Sequence, residues 1–520
     1  MKLALSSTIP MIDAFLAEKL GIPVLELMRK SGRAVADAVR ARVHTGGNIV
    51  VLAGKGNNGG DGYAAAVDLM DEYSVTVVDI FSVGQKSEEG KAFLSLFKEK
   101  GGEIIPFTGL DGVKSLLDSA HCVVDAVFGI GFAGEMPEFL RDLAVYVRAL
   151  VGVHKIAIDV PLGVNPDNGS VSDYAISSTA TVALSFIKPG IVSYPARSFV
   201  GEIIYCDLGI PREKILESFH LHHNLIEQDW VRKSLPRREE NSNKGTFGKL
   251  LVITGSERYR GAAHLSLEAA LRSGVGLVTY LGSPSVISEL SAKYPEVIYK
   301  EENIGDSLTD EQIHSICELS RSHSATLLGS GSDNTAGLGR LTLALLASEG
   351  SPLILDADAI NALSAMGETG VLALKKSQRT VIITPHPLEF ARLSMSDAAT
   401  VQSHRLEVAE RFAIENKLIL VLKGAGTVIA DSDEVYINAT GSSALAKAGS
   451  GDVLSGVIAA LVAQGKCSPT VAAAIAVYIH ALAGQRLASE FSAYGVTPSD
   501  LPKEIARTVS DLISDEEERI

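Results

Sequence analysis

The fold is decided by the stretch Ala448-Gly449-Ser450-Gly451-Asp452, which runs directly into the apolar segment 453–458. Small residues before a helix let backbone N–H groups approach an anion, and the helix N-terminus adds partial positive charge. An aspartate here opposes phosphate binding, but it suits a base that takes a hydroxyl proton while the amides stabilise a phosphate. The stretch therefore predicts a phosphoryl-transfer site. The alternative is a glycine-rich cap before a buried helix.

The composition indicates two large domains, because 520 residues are too many for one core. A net charge of −15 without a long basic run argues against nucleic acid as a partner. The four cysteines are widely spaced and lack a CxxC pair, as is usual in a reducing cytosol. The N-terminus lacks the apolar region of a signal peptide, and no uninterrupted apolar run is long enough to span a bilayer. We therefore expect a cytoplasmic protein without a membrane partner.

Strands and helices alternate along both halves of the chain. Continuous apolar runs separated by helix-length segments predict parallel sheets that are covered on both faces. After a helical opening over 11–42, we expect first-half strands over 48–54, 74–81, 103–107, 122–129, 155–160, 179–185 and 202–208. In the second half we expect strands over 249–256, 276–281, 325–329, 352–357, 380–384 and 418–422, a hairpin over 426–438 and a helix over 471–488. The fold class is α/β, with two three-layer α/β/α domains.

The alternating pattern breaks at Pro211, and the next stretch, 212–224, is polar and contains three histidines. We interpret this stretch as a linker between a domain over 1–211 and a domain over 225–520. A histidine cluster could bind metal, but no acidic or cysteine companions lie nearby in sequence. A solvated loop is the favoured interpretation.

The first predicted strand ends in the loop 54–62, Gly-Lys-Gly-Asn-Asn-Gly-Gly-Asp-Gly. It contains the GxGxxG pattern of dinucleotide-binding loops, and Asp79 lies 20 residues beyond Gly59, where it could bind a ribose. However, Asn57, Asn58 and Asp61 supply amides and a carboxylate that a plain pyrophosphate loop does not need. The loop therefore fits either a dinucleotide or another polar ligand.

Two aspartates of the first half also end predicted strands, Asp125 in 122–129 and Asp159 in 155–160. Ligands bind beyond the carboxyl ends of the strands in such sheets. Asn58, Asp125 and Asp159 could therefore converge on one crevice that holds a cation and a polar ligand. The alternative for each aspartate is a cap on the following helix.

These motifs together carry a resemblance to a known family. The loop 57–62, the segment 125–134 and Asp159-Val160-Pro161 resemble the Rossmann-like epimerase domain of bifunctional NAD(P)H-hydrate repair enzymes. The second half resembles their ribokinase-like dehydratase domain. The resemblance implies repair of NADH and NADPH that have been hydrated at the nicotinamide ring. The first domain would interconvert the R and S hydrates, and the second would dehydrate the S form at the expense of ADP.

The resemblance also implies site residues in the first domain. The hydrate pocket would comprise Asn57, Asn58, Gly59, Gly60, Asp61, Gly129, Ile130, Gly131, Phe132, Ala133, Gly134, Glu135 and Asp159. A potassium ion would lie at Asn58, Asp125 and Leu162, although Leu162 replaces the serine that is usual in the family. Asp159 is the candidate acid/base for epimerisation, and strand-end carbonyls could compensate for the missing serine hydroxyl.

In the second domain the resemblance implies nucleotide contacts at Lys423, Gly424, Ala425, Gly426, Thr427 and Gly451, and hydrate contacts at Ala262, Gly331, His386 and Asp452. Lys423 offers a cation for phosphate, and Thr427 offers a hydroxyl. Asp356 and Asp358 end a strand, and they could organise Mg²⁺ bound to ADP through water or simply cap the next helix. The usual Gly-Pro-Gly-Leu-Gly loop reads Gly-Ser-Gly-Ser-Asp over 329–333, which adds a carboxylate near the hydrate.

These residues together predict a bifunctional epimerase and ADP-dependent dehydratase. Asp452 would deprotonate the ring hydroxyl, which attacks the terminal phosphate of the nucleotide, and the amides around Gly451 would stabilise the developing charge. Elimination of phosphate would then regenerate NADH or NADPH. The small-molecule partners would be NADHX, NADPHX and ADP, and we expect a homo-oligomer.

Three rival functions remain open from the sequence alone. The first is a vitamin-precursor kinase fused to a non-catalytic ligand-binding domain. The second is an NAD-dependent dehydrogenase that uses the first glycine loop and Asp79. The third is a sensing or scaffolding module that binds a nucleotide without turning it over.

Overall fold

The structure is a computed structural model that describes residues 1–81, 86–131 and 134–517. It divides into two compact units, one of Lys2–His223 and one of Met1 with Asn224–Ile520. We refer to them as the first and the second unit.

A seven-stranded parallel sheet forms the centre of the first unit. Its strands are β1 (Asn48–Ala53), β2 (Ser74–Asp79), β3 (Glu103–Pro106), β4 (Cys122–Ala126), β5 (His154–Ile158), β6 (Ala180–Leu184) and β7 (Glu202–Cys206). The order is β3-β2-β1-β4-β5-β6-β7, so the direction of winding reverses between β1 and β4. A crevice opens at such a reversal, beyond the carboxyl ends of the strands.

Helices cover both faces of this sheet. They are α1 (Ile9–Leu20), α2 (Val24–Arg40), α3 (Asn57–Leu69), α4 (Glu88–Glu99), α5 (Lys114–Asp118), α6 (Glu138–Ala149) and α7 (Arg212–Ser218). Alternate residues of β1 contribute to two separate apolar clusters, Val51 to one and Val50 to the other. The strands are therefore buried on both sides, which explains their continuous apolar runs.

The second unit contains a ten-stranded sheet in the order β11-β10-β9-β12-β13-β14-β15-β16-β17-β8. Its strands are β8 (His223–Leu225), β9 (Lys249–Ile253), β10 (Leu277–Gly282), β11 (Ile298–Glu301), β12 (Ala325–Leu328), β13 (Leu353–Leu355), β14 (Val381–Ile383), β15 (Ile419–Leu422), β16 (Val428–Ala430) and β17 (Val435–Ile437). β9 to β15 are parallel, and β16 and β17 form the predicted antiparallel hairpin. The short edge strands β8 and β11 are not predicted by the apolar runs of the sequence. The winding reverses between β9 and β12.

The helices of the second unit are α8 (Gln228–Ser234), α9 (Arg260–Arg272), α10 (Pro284–Lys293), α11 (Asp310–Arg321), α12 (Ala336–Ala347), α13 (Asp358–Ala365), α14 (Glu368–Lys376), α15 (Pro387–Leu393), α16 (Ala398–Ser403), α17 (Arg405–Asn416), α18 (Ser450–Gln464), α19 (Pro469–Gly495) and α20 (Leu501–Glu517). α18 is buried almost throughout and packs against α9 and α19. By length and composition α19 could cross a membrane, but 72% of its most apolar window is buried in the unit. It serves as a core helix.

Two sequence expectations differ from the structure. The helical opening is two helices rather than one, because Gly21 ends α1 in the left-handed conformation and Pro23 precedes α2. The stretch 212–224, expected as a linker, contains α7 and the start of β8, and Ile215 and Leu221 are buried in the core of the first unit. Ile215 and Leu221 are isolated apolar residues in a polar stretch, so the hydropathy pattern did not indicate that they are buried.

The start of α3 provides a test of the packing of the first unit. A Cβ atom at Gly59 would lie 2.2 Å from the carbonyl oxygen of Gly54, whereas one at Gly56 would meet nothing within 4 Å. Gly59→Ala should therefore destabilise the first unit by about 1–3 kcal/mol, as overpacking does. Gly56→Ala should change its stability by less than about 0.5 kcal/mol. Calorimetry of both variants measures this, and equal unfolding temperatures would contradict the close approach.

Candidate active sites

A cavity of 410 Å³ lies at the winding reversal of the first unit, where β1 and β4 end. Seven of the predicted pocket residues line it: Asn57, Asn58, Asp61, Gly129, Ile130, Gly131 and Asp159. Gly59 and Gly60 lie in the first turn of α3, where they are buried. Gly134 and Glu135 line a different cavity, of 450 Å³, and Phe132 and Ala133 fall outside the described residues. The loop after β4 therefore contributes its first part to the predicted pocket.

Asp159 follows β5 and forms an ion pair with a buried lysine. The distance from Lys188 Nζ to Asp159 Oδ1 is 2.5 Å, and the same oxygen accepts the N–H of Leu184 at 3.2 Å. Lys188 also donates to the carbonyl oxygen of Leu184 at 3.1 Å, and its side chain is only 1% exposed. A buried charge requires such a partner. The ion pair thus holds the carboxylate of Asp159 in a fixed position on the cavity wall.

Two further carboxyl groups face this cavity. Asp61 is buried, and desolvation together with the charge of Asp159 raises its pKa well above the usual value. Asp13, on α1, also has a raised pKa, mainly through burial, although the charge of Lys188 opposes the shift. Both groups are therefore easier to protonate than an exposed aspartate.

Sequence reasoning missed Asp13 and Lys188, because each is distant in sequence from the glycine loop and belongs to no motif. The structure also gives Asp79 another role than ribose binding. It forms an ion pair with Lys86 at 2.8 Å and does not line the cavity.

Asp125 and Asn58 lie at the ends of neighbouring elements, with Asn58 facing the cavity and Asp125 buried behind it. Asp125 accepts the N–H of Leu162 at 2.7 Å and that of Val127 at 3.3 Å. Burial raises the pKa of Asp125 to about 6, and within the described ranges no cationic side chain pairs with it. The amide nitrogen of Asn58 is buried without a hydrogen-bond partner in the described chain. Leu162 is completely buried, and its carbonyl accepts the N–H of Ile176.

A larger cavity, of 620 Å³, lies at the winding reversal of the second unit. The predicted residues Ala262, Gly331 and Asp452 line it. Sequence reasoning missed other wall residues, among them Tyr259, Asn361 and Glu389. The carboxylate at Asp333, expected near the hydrate, lines a neighbouring cavity of 220 Å³ instead.

The strand ends behind this cavity are joined by the carboxylate of Asp356, which is completely buried. It accepts hydrogen bonds from Ser330 Oγ at 2.8 Å, Thr384 Oγ1 at 2.7 Å and Lys423 Nζ at 2.9 Å. Asp356 follows β13, and its three donors follow the other strands: Ser330 follows β12, Thr384 follows β14 and Lys423 follows β15. Burial alone would lower the pKa of Lys423, but the carboxylates of Asp356 and Glu389 outweigh it and raise the pKa.

The loop after β15 places its lysine beside the start of α18. A Cβ atom at Gly451 would lie 3.2 Å from Lys423 Nζ, so the ammonium group is adjacent to the helix N-terminus. Gly424 and Gly426 have positive φ values of +137° and +67°, which favour glycine. Thr427 donates to the carbonyl oxygen of Gly424 at 3.0 Å, which closes the turn. Lys423 and the amides of α18 therefore form one positive region that suits a phosphate.

Within the predicted nucleotide stretch, Gly424 and Ala425 are exposed, whereas Thr427 is buried. The six predicted nucleotide residues are not among the residues that line the 620 Å³ cavity. Lys423 of the loop lies beside Gly451, and the next residue, Asp452, lines the 620 Å³ cavity. The nucleotide loop and the cavity are therefore adjacent at the start of α18.

Asp452 lies in the first turn of α18 and faces the cavity. Burial, followed by the charge of Asp356, raises its pKa to about 7, and Lys423 opposes the shift. A carboxylate with a pKa near neutrality is a better base than an ordinary aspartate. The geometry thus combines a base with an adjacent anion-binding region.

His386 makes local hydrogen bonds at the start of α15, and its predicted contact with the hydrate stays a prediction. Its Nδ1 accepts the N–H groups of Leu388 and Glu389 at 3.2 and 3.3 Å, and Glu389 in turn accepts the N–H of His386. The ring therefore caps α15, and His386 does not line the 620 Å³ cavity. The flanking prolines suit this cap, because Pro387 occupies the first helical position.

Comparisons with known proteins match both halves of the chain. The family model described as NAD(P)H-hydrate dehydratase matches residues 250–507, and the one described as YjeF-related protein N-terminus matches residues 24–190. The bifunctional NAD(P)H-hydrate repair enzyme Nnr of Moorella thermoacetica is 33% identical, covering 96% of this chain and 95% of its own length. The enzyme of the same name from Escherichia coli is 31% identical, covering 96% and 92%.

Among solved structures, an ADP/ATP-dependent NAD(P)H-hydrate dehydratase from Bacillus subtilis, co-crystallised with ATP and Mg²⁺, is similar to part of the chain. Its sequence identity is 31% and its TM-score is 0.49, and the match covers 56% of this chain and 98% of that protein.

The fold and the cavities define a two-unit α/β enzyme with a ligand site at the winding reversal of each sheet. The identity to full-length relatives then specifies the family: the chain belongs to the bifunctional NAD(P)H-hydrate repair enzymes. This confirms the family and the α/β class expected from the motifs. The interpretations as a dehydrogenase and as a non-enzymatic module are wrong.

The raised pKa of Asp452 generates a prediction in which activity and stability change in opposite directions. Asp452→Asn should reduce dehydration about 10²–10⁴-fold, as expected for the loss of a general base. In the native chain the rate should rise with pH through about 7, because only the ionised form is a base.

The stability of Asp452→Asn follows from proton linkage. The pKa of Asp452 is higher in the folded state than the usual 3.8, so the folded chain binds the proton more tightly and loses stability between about pH 4 and 7. Asparagine removes that loss, so the variant should unfold at a higher temperature than the native chain at pH 8 but not at pH 4. A variant that stays fully active, or that is less stable at pH 8, would contradict this role.

Proposed function

We propose that the first unit interconverts the R and S hydrates of NADH and NADPH, and that the second unit dehydrates the S hydrate at the expense of ADP. The observation that carries the proposal is the Asp452 carboxylate, which lies on a cavity wall beside the Lys423 ammonium and the N-terminus of α18. A base next to an anion-binding region suits phosphorylation of a hydroxyl.

In the proposed dehydration, Asp452 takes the proton from the ring hydroxyl while the hydroxyl oxygen attacks the terminal phosphorus of ADP. The bond from that phosphorus to the bridging oxygen breaks, and AMP leaves. Lys423 and the amides near Gly451 stabilise the negative charge that develops on the transferred phosphoryl group. Phosphate is a good leaving group, so the phosphorylated ring then eliminates it. The C–O bond breaks, a ring proton leaves, and the dihydronicotinamide returns.

Mg²⁺ bound to the nucleotide fits the oxygen donors of this cavity. Asp358 and Glu389 contribute carboxylates to the wall, and Asn361 has a buried Oδ1 without a hydrogen-bond partner in the described chain. Mg²⁺ prefers such oxygens and usually keeps several waters. When bound it would neutralise phosphate charge, and Asp358, Asn361 and Glu389 would hold it directly or through water.

A potassium ion in the first unit fits the environment of Asp125. This carboxyl is buried and lacks a cationic partner in the described chain, so a bound cation would offset its desolvation. The amide nitrogen of Asn58 is buried without a partner in the described chain, and a flip of the amide would place the Asn58 oxygen at that position. Leu162 contributes a backbone N–H to Asp125 and can offer only its carbonyl to a cation. The ion would supply positive charge near the hydrate.

The rival function for the second unit is a small-molecule kinase. A kinase releases a stable phosphorylated product, whereas the proposed dehydratase releases inorganic phosphate and NADH. The test offers the protein racemic hydrated NADH with and without ADP and follows dihydronicotinamide absorbance and phosphate. Accumulation of a phosphorylated hydrate without NADH would favour the kinase.

The division of labour predicts a biphasic reaction when the first unit is impaired. Asp159→Asn should leave S-hydrate repair running while R-hydrate conversion slows toward its spontaneous rate. About half of a racemic substrate should then react quickly and the rest slowly, by absorbance. The double variant Asp159→Asn/Lys188→Met is the control, because removing both charges avoids an unpaired buried lysine. A monophasic trace for both variants would contradict the role of Asp159.

The replacement of serine by Leu162 predicts a weakened but functional potassium site. Carbonyl oxygens still bind hard cations, so potassium should stimulate epimerisation in salt-free native protein. Leu162→Ser should lower the potassium concentration that gives half-maximal stimulation. A rate that is independent of potassium in the native chain, with dependence only in the serine variant, would show that the native site has lost its ion.

A further inference from the structure

The 410 Å³ cavity of the first unit contains three carboxyl groups, and they differ in what they already bind. Asp159 is fixed by Lys188 and the amide of Leu184. Asp61 is buried and hydrogen-bonded to Ser31. The carboxyl of Asp13 makes no hydrogen bond or ion pair within the described residues, and it is only half-buried. Asp13 is therefore the carboxyl whose proton and lone pairs remain available to a ligand.

The position of Asp13 follows from the face that α1 presents to the cavity. Ile9 and Asp13 are one helical turn apart, so their side chains share a face, and both line the cavity. Asp159, in contrast, reaches the same cavity from the end of β5. The two carboxyl groups thus belong to different walls, one helical and one at the edge of the sheet.

We propose that Asp13 is a second catalytic residue of hydrate epimerisation. Asp13 gives a proton to the leaving ring hydroxyl, and Asp159 accepts a proton from the water that adds to the ring. This inference rests on the proposed epimerase function of the first unit. Inversion at one carbon requires a hydroxyl to leave from one face and water to add to the other. Carboxyl groups on two walls suit such a reaction better than one alone.

The proposed steps balance without an oxidant or another reactant. The C–O bond of the hydrate breaks with its electron pair on oxygen, Asp13 gives its proton to that oxygen, and water leaves. The ring-nitrogen lone pair forms a C=N bond. Water then adds to the same carbon from the other face, the C=N pair returns to nitrogen, and Asp159 accepts the surplus proton. After one conversion Asp13 is ionised and Asp159 carries the proton. Proton exchange of the two carboxyl groups with water restores the starting state, and the reverse reaction uses the two groups in exchanged roles.

The charges around Asp13 are consistent with a proton donor. Burial raises its pKa, the positive charge of Lys188 opposes this shift, and the negative charge of Asp159 adds to it. Asp61 and Lys55 also face the cavity from the loop and helix that follow β1. The donor form of Asp13 is lost as pH rises through its pKa, so epimerisation in the R-to-S direction should decline on the alkaline side of that pKa.

The test compares Asp13→Asn with Glu18→Gln in the full chain. Glu18 is an exposed acid on the same helix, so its substitution removes the same charge without touching the cavity. Racemic hydrated NADH with excess ADP reports the fast S phase and the slow R phase together. Asp13→Asn should reduce the R phase about 10²-fold or more, leave the S phase unchanged and remove the pH dependence of the residual rate. Glu18→Gln should match the native chain in both phases.

A third variant separates chemistry from folding. Asp13→Glu keeps a carboxyl group and should recover part of the R phase with a shifted pH profile, whereas a purely structural role would leave it as slow as asparagine. Equal R-phase rates for native protein and Asp13→Asn would overturn the inference, as would an unchanged pH profile in a slowed variant. If the native chain itself converts only half of the racemate, the proposed epimerase function fails instead.

Discussion

The buried carboxylate of Asp356 is the interaction on which the site of the second unit depends. Its three side-chain donors, Ser330, Thr384 and Lys423, come from the ends of three other strands. Removing a partner from a buried charge typically costs 3–5 kcal/mol, so the four strand ends are held in register together. The same carboxylate directs Lys423 toward the start of α18, and its charge adds to the larger effect of burial, which raises the pKa of Asp452. One buried charge therefore positions the cation and contributes to the basicity of the base.

The first unit uses a related device with different strands. In this unit the buried side chain of Lys188 pairs with one carboxylate, that of Asp159. In the second unit, by contrast, the carboxylate of Asp356 is shared by donors from three strand ends. Both units also place a non-glycine residue with positive φ at this edge, Asp159 at +65° and Ala357, directly after Asp356, at +44°. Such conformations cost about 1–3 kcal/mol each and persist only where surrounding contacts enforce them. In each unit the strain coincides with a carboxylate that lies at or behind the ligand cavity.

Local patterns predicted most of the fold and the anchor residues of both sites. The apolar runs located 13 strands of the parallel sheets and the hairpin in order, and the glycine loops located Asp61 and Asp452, because these signals lie within a few residues. The other cavity residues could not be found in this way. Asp13, Lys188 and Glu389 belong to no local motif and reach their cavities only through tertiary packing. His386 stands in a suggestive sequence context and caps α15 in the structure, and its contact with the hydrate stays a prediction.

The helix α19 also bears on how the chain is made. It is apolar enough to resemble a membrane segment, and it packs between α18, which precedes it, and α20, which follows it in the chain. Domains fold as units during synthesis from the N-terminal end, so the side of α19 that faces α20 stays uncovered until α20 has also been synthesised. A ribosome that stops shortly after residue 495 would release a chain with a long apolar helix open to solvent. α20 therefore covers an apolar face of α19, and exposed apolar faces of this kind promote association between chains.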